Sequence, residues 1–288
     1  MKTNFPYEFK NQEKINQPGK ETEMNPSPIF ELDEYCNNGK RLEGLTAIIT
    51  GGDSGIGRAV SIAFAREGAN VVIAYLNEDN DALVTKKIIN KLGREAILVK
   101  GDVGEENFCE SIVKETIKAF GKIDILVNNA AEQHVKNSIK DISEEQLIKI
   151  FKTNVFSAFY LVKKSLPFMT DGGRIINTTS VTAYKGNETL IDYSSTKGAL
   201  TSFTRSLALN LAQEGITVNA VAPGPIWTPL IPASFEKNKI ETFGQNTALK
   251  RAGQPVEVAE AYVFLASKSS SFITGETIHV NGGEICNS

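Results

Sequence analysis

The chain has 288 residues, 41% hydrophobic and 23% charged, with a formal net charge of −3 and a pI near 5.7. That balance can fill a sizeable core, suits one large α/β domain or two small ones, and offers no basic face for nucleic acid. No apolar run reaches the ~18 residues of a membrane span. The start lacks the apolar stretch of a secretory signal, and Cys36, Cys109, Cys286, His134 and His279 are too scattered for a disulfide framework or a metal site, so the expectation is a cytoplasmic protein without metal.

Residues 1–40 stand apart. Pro6, Pro18, Pro26 and Pro28 lie among Asn, Gln, Glu and Lys with no helix or strand period. Such a segment cannot bury enough apolar surface to fold by itself. It is either a disordered tail or an arm across the body or a neighbouring subunit, with Phe5, Tyr7, Phe9, Ile29, Phe30 and Leu32 as anchors. The domain proper is expected over 41–288.

Leu45 to Thr50 reads as a buried strand, followed by Gly51-Gly52-Asp53-Ser54-Gly55-Ile56-Gly57 and then a helix from Arg58 to Glu67. A glycine turn between strand and helix lets a pyrophosphate rest on bare N–H groups at the helix N-terminus. The spacing, Gly51-x-x-x-Gly55-x-Gly57, differs from the usual G-x-G-x-x-G, and a purely structural turn is the alternative. Asn70 to Tyr75 is the second strand. An acid at its end would hold the adenosine ribose of NAD, and a base nearby would favour NADP. Tyr75-Leu76-Asn77 is neither, so NAD or NADP stays open. Glu78 and Asp79 are expected to cap a helix from Asp81 to Leu92.

Strand and helix go on alternating. A strand over 95–100 leads to Gly101-Asp102-Val103 and a helix over 105–120; another over 123–127 leads to Asn128-Asn129-Ala130-Ala131 and a helix containing Asn154. Arg174 to Thr179 ends at Ser180; Ile216 to Val221 precedes Pro223-Gly224-Pro225-Ile226-Trp227-Thr228; a helix over 256–266 and a strand over 277–280 close the chain. The pattern predicts a single doubly wound Rossmann-type α/β domain with about seven parallel strands and helices on both faces. Ligands of such sheets bind beyond the carboxyl ends of the strands. The glycine turn, Asp102, Asn128, Ser180 and Pro223 all follow strands and so converge on one edge.

Tyr193-Ser194-Ser195-Thr196-Lys197 opens a helical run. Tyr193 and Lys197 share one face, with Cβ atoms roughly 6 Å apart. A nearby ammonium favours the phenolate and lowers a phenol pKa from about 10, and a tyrosine so tuned serves as general acid or base on an alcohol or carbonyl. Ser180 is placed to hold the same oxygen.

Taken in order, Thr50-Gly51-x-x-x-Gly55-Ile56-Gly57, Asp102-Val103, Asn128-Asn129-Ala130, Asn154, Ser180, Tyr193-x-x-x-Lys197, Pro223-Gly224 and Asn281-Gly282-Gly283 resemble the short-chain dehydrogenase/reductase family over residues 42–284. The likeness is to a bacterial branch with glucose-dehydrogenase-like and aldehyde-reductase-like members and a long N-terminal extension. Ala131 departs from the family's usual glycine. The resemblance implies Asn154, Ser180, Tyr193 and Lys197 as catalytic residues, with Asn154 anchoring a water relay and Lys197 also holding the nicotinamide ribose. It implies cofactor contacts from Gly51, Asp53, Ser54, Gly55, Ile56, Gly57, Tyr75, Asp102, Val103, Asn128, Ala130, Tyr193, Lys197, Pro223, Gly224, Ile226 and Thr228. It also implies a homotetramer, with Phe272-Ile273-Thr274-Gly275 near a twofold contact, and a substrate lid over about 228–250. Trp227, Ile231, Phe235 and Phe243 are expected to line an apolar pocket.

The leading expectation is an NAD(P)-dependent oxidoreductase acting on a small-molecule alcohol or carbonyl. A 3-oxoacyl carrier-protein reductase and a non-catalytic nucleotide sensor are the alternatives. The first would want a basic patch for its acidic carrier, and the second would need none of Ser180, Tyr193 and Lys197.

Overall fold

The inner strands are short runs of β-branched and aliphatic residues because both of their faces are buried, while the two edge strands, over 96–100 and 277–280, are only partly buried. The computed structural model describes residues 5–6, 8–32 and 39–284; Tyr7, Cys36 and Cys286 lie outside them. In chain order come β1 (Thr46–Thr50), α1 (Gly55–Arg66), β2 (Asn70–Tyr75), α2 (Asp79–Lys91), β3 (Ala96–Lys100), α3 (Glu106–Phe120) and β4 (Ile125–Asn128). Then follow α4 (Glu144–Phe151), α5 (Ser157–Ser165), β5 (Arg174–Thr178), α6 (Thr182–Lys185), α7 (Ile191–Leu211) and β6 (Thr217–Pro223). The short helices α8 (Leu230–Ser234) and α9 (Lys237–Glu241), then α10 (Pro255–Ala266) and β7 (Thr277–Val280), complete the chain.

All seven strands are parallel, in the order β3-β2-β1-β4-β5-β6-β7. Alternate side chains feed two cores. Ala47, Ile49, Val71, Ile73 and Val127 pack under α1 and α10 with Phe64, Tyr262 and Val263. Ile48, Val72, Leu126, Ile175 and Val218 pack on the other face with Ile112, Leu161 and Leu211 from α3, α5 and α7. Burying one such branched side chain contributes about 1.5–3 kcal/mol, and these strands bury them on both faces. The winding direction reverses between β1 and β4. The turns after those two strands therefore border a crevice at the switch point, where this architecture takes its ligands.

Two elements differ from the sequence expectation. α2 begins at Asp79, with Glu78 as its N-cap residue, two residues ahead of the expected start; the Tyr75 hydroxyl donates to Asp79 Oδ1 at 2.8 Å and ties the first turn to β2. The helix holding Asn154 is interrupted: α4 and α5 are joined by a π-helical segment, Lys152–Phe156. A π-bulge re-aims a side chain within a helix, and here it buries Asn154 against the loop after β4.

The described part of the arm runs over the body. Phe5 and Phe9 are buried, Phe9 stacks on Trp227, and the Arg58 guanidinium lies 5.0 Å from the centre of the Phe30 ring. Ile29 pairs with the start of α10, its N–H donating to Gln254 Oε1 at 2.8 Å and its carbonyl accepting from Val256 N at 3.1 Å. Cys109 is buried among α3 contacts, and burial pushes its thiol up to about 12, so it is inert.

Candidate active site

The carboxyl ends of the strands open onto one cavity of about 750 Å³. Of the residues expected there, Gly51, Asp53, Ser54, Gly55, Ile56, Tyr75, Asp102, Val103, Ala130, Ser180, Tyr193, Lys197, Pro223, Gly224, Ile226 and Thr228 line it. Gly57, Asn128 and Asn154 stand behind the wall. Trp227 is also absent from the lining, contrary to expectation: it is fully buried, because Phe9 of the arm covers its face. Ile231, Phe235 and Phe243 do line the cavity, together with Glu132, Gln133 and Lys149.

The glycine turn is built for close approach. Gly51 and Gly55 have φ of 61° and 52°, a region that side chains disfavour. A Cβ on Gly57 would sit 1.8 Å from the Gly51 carbonyl oxygen, so α1 can meet the turn only without one. Thr228 and Pro229 stand opposite, the Thr228 methyl 3.2 Å from where a Gly55 Cβ would be. Thr50 Oγ1 locks the neighbouring loop by accepting from both Asn129 N and Ala130 N at 2.9 Å. A glycine turn at a helix N-terminus fits the diphosphate of a dinucleotide, although here the Gly55 N–H is already taken by the Glu21 carboxylate of the arm at 3.0 Å.

The end of the cavity beside β2 is acidic. Asp53 and Glu78 line it. Burial pushes Asp53 up to about 7, with Glu78 and Asp81 adding to the rise. Arg58, whose direction the sequence left open, is turned away from the cavity. It is ion-paired with Glu21 of the arm and with Asp81, at 3.2 Å, and its Nε donates to the Asp53 carbonyl at 2.8 Å.

On the opposite wall, Lys197 Nζ donates to the Thr178 carbonyl at 2.7 Å and lies 5.5 Å from the centre of the Tyr193 ring. Ser180 Oγ accepts from Thr182 N and Thr182 Oγ1, each at 3.1 Å, which leaves its own O–H to donate toward the Tyr193 phenol at the cavity. The expected depression of Tyr193 by Lys197 is reversed in the chain by itself. Burial pushes the phenol up to about 12, opposed only by the Ser180 hydroxyl, while burial pulls Lys197 down to about 7. Desolvation disfavours both charged forms.

Asn154 spends its amide on the protein: Oδ1 accepts from Glu132 N at 2.9 Å, and Nδ2 donates to the Glu132 carbonyl at 3.0 Å and to Thr196 Oγ1 at 3.1 Å. It therefore braces the Glu132 loop against α7. Asn128 Nδ2 donates to Asn177 Oδ1 at 2.8 Å, and Asn128 does not line the cavity.

Comparison with known proteins agrees with this geometry. A family model described as enoyl-(acyl carrier protein) reductase matches residues 51–284. The chloroplastic NADPH-dependent aldehyde reductase 1 of Arabidopsis thaliana is 51% identical, covering 94% of this chain and 96% of its own. The glucose and ribitol dehydrogenase of Daucus carota is 47% identical over 97% and 98%. A short-chain dehydrogenase from Burkholderia cenocepacia, solved in complex with NADP, superposes with a TM-score of 0.80 at 31% identity, covering 84% of this chain and 98% of its own. The chain belongs to the short-chain dehydrogenase/reductase family. As a short-chain dehydrogenase/reductase it is an oxidoreductase of the NAD(P)-dependent kind. Its site also holds residues that sequence reasoning passed over: Thr178, whose carbonyl receives Lys197, and Glu132 and Gln133 on the substrate side. Only the position of Glu132 and Gln133 two and three residues after Ala130 could have pointed to them.

Proposed function

We propose that this chain interconverts a small, hydroxylated alcohol and its aldehyde or ketone, using NAD or NADP. The observation that carries the reading is one cavity bordered on one side by the glycine cradle and on the other by Ser180, Tyr193 and Lys197. Gly51, Gly55, Ile56 and Thr228 would hold the dinucleotide, which would supply or accept the hydride. The chain supplies orientation and the proton. The Ser180 O–H donates to the substrate oxygen and fixes it beside the Tyr193 phenol. In reduction, Tyr193 gives its proton to that oxygen; in oxidation, the phenolate takes it back. Lys197, held by the Thr178 carbonyl, keeps the phenol side of α7 in register and, when protonated, stabilises the phenolate. The polar ring of Glu132, Gln133, Lys149 and Asn187 beside apolar Ile231 and Phe235 supports a polyol or hydroxyaldehyde rather than a hydrocarbon chain. The names of the aldehyde reductase and the glucose and ribitol dehydrogenase point the same way.

The description of the matching family model favours a carrier-protein substrate instead. Against it, Lys149 and Lys185 at the cavity are paired with Glu132 and Glu284 at 3.3 and 2.7 Å, and the exposed Lys239 beside them adds a single charge, less than a basic platform for an acidic carrier. A homotetramer belongs to the same proposal, and the exposed Phe156 and Phe159 on the α5 side and Phe272 near β7 are apolar surfaces that a second copy would cover. The test is absorbance at 340 nm with NADH or NADPH against aldehydes, ketones, aldoses, polyols and an acyl-carrier substrate. Oxidation of a polyol or reduction of its carbonyl supports the reading. Turnover of the acyl carrier alone transfers it to the second reading, and tight cofactor binding without any turnover leaves a nucleotide sensor.

A further inference from the structure

We propose that the N-terminal arm, residues 8–31, is a positioning element of the active site that holds the lid of about 228–250, together with the adjoining Trp227, over the substrate end of the cavity, with Phe9 and Gln17 as its working contacts. This rests on the reading of the cavity as a reductase site. The lid is poorly equipped to hold itself. Its two helices, α8 and α9, are five residues each, and isolated helices so short are unstable in water. The arm supplies what they lack.

Phe9 is fully buried and lies flat on Trp227, ring centres 3.8 Å apart and planes within 11°. The edge of the same indole donates from Nε1 to the Pro26 carbonyl at 2.7 Å. Two separate stretches of the arm thus grip Trp227, one by its face and one by its N–H. Between them, Ile15 N donates to the Pro232 carbonyl at 2.9 Å. Gln17 Nε2 donates to the Gln133 carbonyl and to Ser234 Oγ at 3.4 Å. Gln133 belongs to the loop after β4 and Ser234 to α8, so Gln17 bridges the two walls between which a substrate would sit. Pro18 and Gly19 then form part of the cavity lining. Gly19 has φ of 92°, and a Cβ there would meet the Pro229 carbonyl oxygen at 2.5 Å, so the chain passes the lid hinge only as glycine. The arm then reaches the cofactor turn, where Glu21 Oε1 accepts from Gly55 N at 3.0 Å, before Pro26 comes back to Trp227. One continuous segment therefore touches the lid, the substrate loop and the glycine cradle in succession.

The chain contains one tryptophan, Trp227, so its fluorescence reports the latch directly. The experiment compares full-length wild type, Phe9→Ala, Phe9→Tyr and Gln17→Ala for Trp emission, acrylamide quenching, cofactor Kd and steady-state kinetics on a carbonyl substrate. Phe9→Ala is expected to red-shift the emission and open it to acrylamide. It should lower kcat/KM for the carbonyl roughly ten- to hundredfold, as loss of positioning does, while cofactor Kd stays within about twofold. Phe9→Tyr restores both. Gln17→Ala leaves the emission in place but raises KM. Unchanged emission in Phe9→Ala overturns the latch, and so does shifted emission with undiminished kcat/KM. If circular dichroism shows that Phe9→Ala has not folded, an unchanged KM in Gln17→Ala overturns it. Emission needs no substrate, so a wild type inert toward every carbonyl would sink the reductase reading while the latch is still judged by quenching.

Discussion

Replacing Lys197 with methionine is expected to abolish turnover and yet make the unliganded protein more stable at pH 7. Lys197 is 1% exposed, and burial pulls its ammonium from 10.5 down to about 7. At ~1.36 kcal/mol per pH unit, that drop sets roughly 5 kcal/mol against the native state. The folded pKa is the lower one, so the unfolded chain binds the extra proton between pH 7 and 10.5. The cost is therefore full below pH 7, falls as pH rises, and is gone above 10.5. Methionine fills similar space without charge but leaves the Thr178 carbonyl without its 2.7 Å donor, at about 1–3 kcal/mol for an unsatisfied buried group. The variant should be more stable by roughly 2–4 kcal/mol at pH 7 and less stable by about 1–3 kcal/mol above pH 10.5, the curves crossing near ~pH 9. Urea unfolding at fixed protein concentration, read at pH 7, 9 and 10.5, measures this. A variant weaker than wild type at pH 7, or a difference that does not move with pH, would refute the reasoning that desolvation governs this wall.

Tyr193→Phe keeps the ring and removes the proton, so turnover should fall about 10²–10⁴-fold with cofactor affinity held within a few-fold; wild-type kinetics on the variant would rule out Tyr193 as the proton carrier. With the phenol held up at about 12, wild-type alcohol oxidation should quicken as pH rises, and a rate flat from pH 7 to 10 would show that some other group accepts the proton. Because Arg58 is committed to Glu21 and Asp81 while Asp53 and Glu78 line the cavity, NADH should be preferred to NADPH, by under about a hundredfold or ~3 kcal/mol; Asp53→Asn should narrow the ratio in steady-state kinetics, and a preference for NADPH would contradict this. Gly57→Ala forces a Cβ to 1.8 Å from the Gly51 carbonyl oxygen, so the turn or the start of α1 must shift, at a cost of about 1–3 kcal/mol or more; calorimetry should find cofactor binding weakened at least about tenfold, and urea unfolding should find the variant less stable than wild type.

What could be read in advance was what is local. β1, the glycine turn and α1 follow one another within about twenty residues, so strand composition, turn chemistry and helical period sufficed. Tyr193 and Lys197 are on one helix and their spacing places them together. The sheet's parallel character followed from strands apolar on both faces. What escaped depends on contacts between distant segments. Trp227 reads as a pocket aromatic until Phe9 is laid upon it. Arg58 reads as a cation beside the turn until Glu21 and Asp81 claim it. Asn154 carries no sign that its amide will be spent on the backbone of Glu132. The inverted balance at Tyr193 and Lys197 escaped for another reason: spacing gives proximity, whereas the depth of burial that decides their charges is a property of the assembled wall.

The arm also bears on the order in which the molecule comes into being. Pro26 and Trp227 are 201 positions apart, and the arm's other partners, Gln133, Pro232 and Gln254, are likewise far downstream. The ribosome adds ~5–20 residues per second, so the arm emerges before its seat and waits roughly 10–40 seconds for it to be synthesised. During that interval Phe5 and Phe9 have no place of burial and are open to chaperones. The sheet can assemble from its successive strand-helix units meanwhile, and the earliest part of the polypeptide becomes the last to dock. A nascent chain arrested before residue 227 would have six of the seven strands and an arm without its seat.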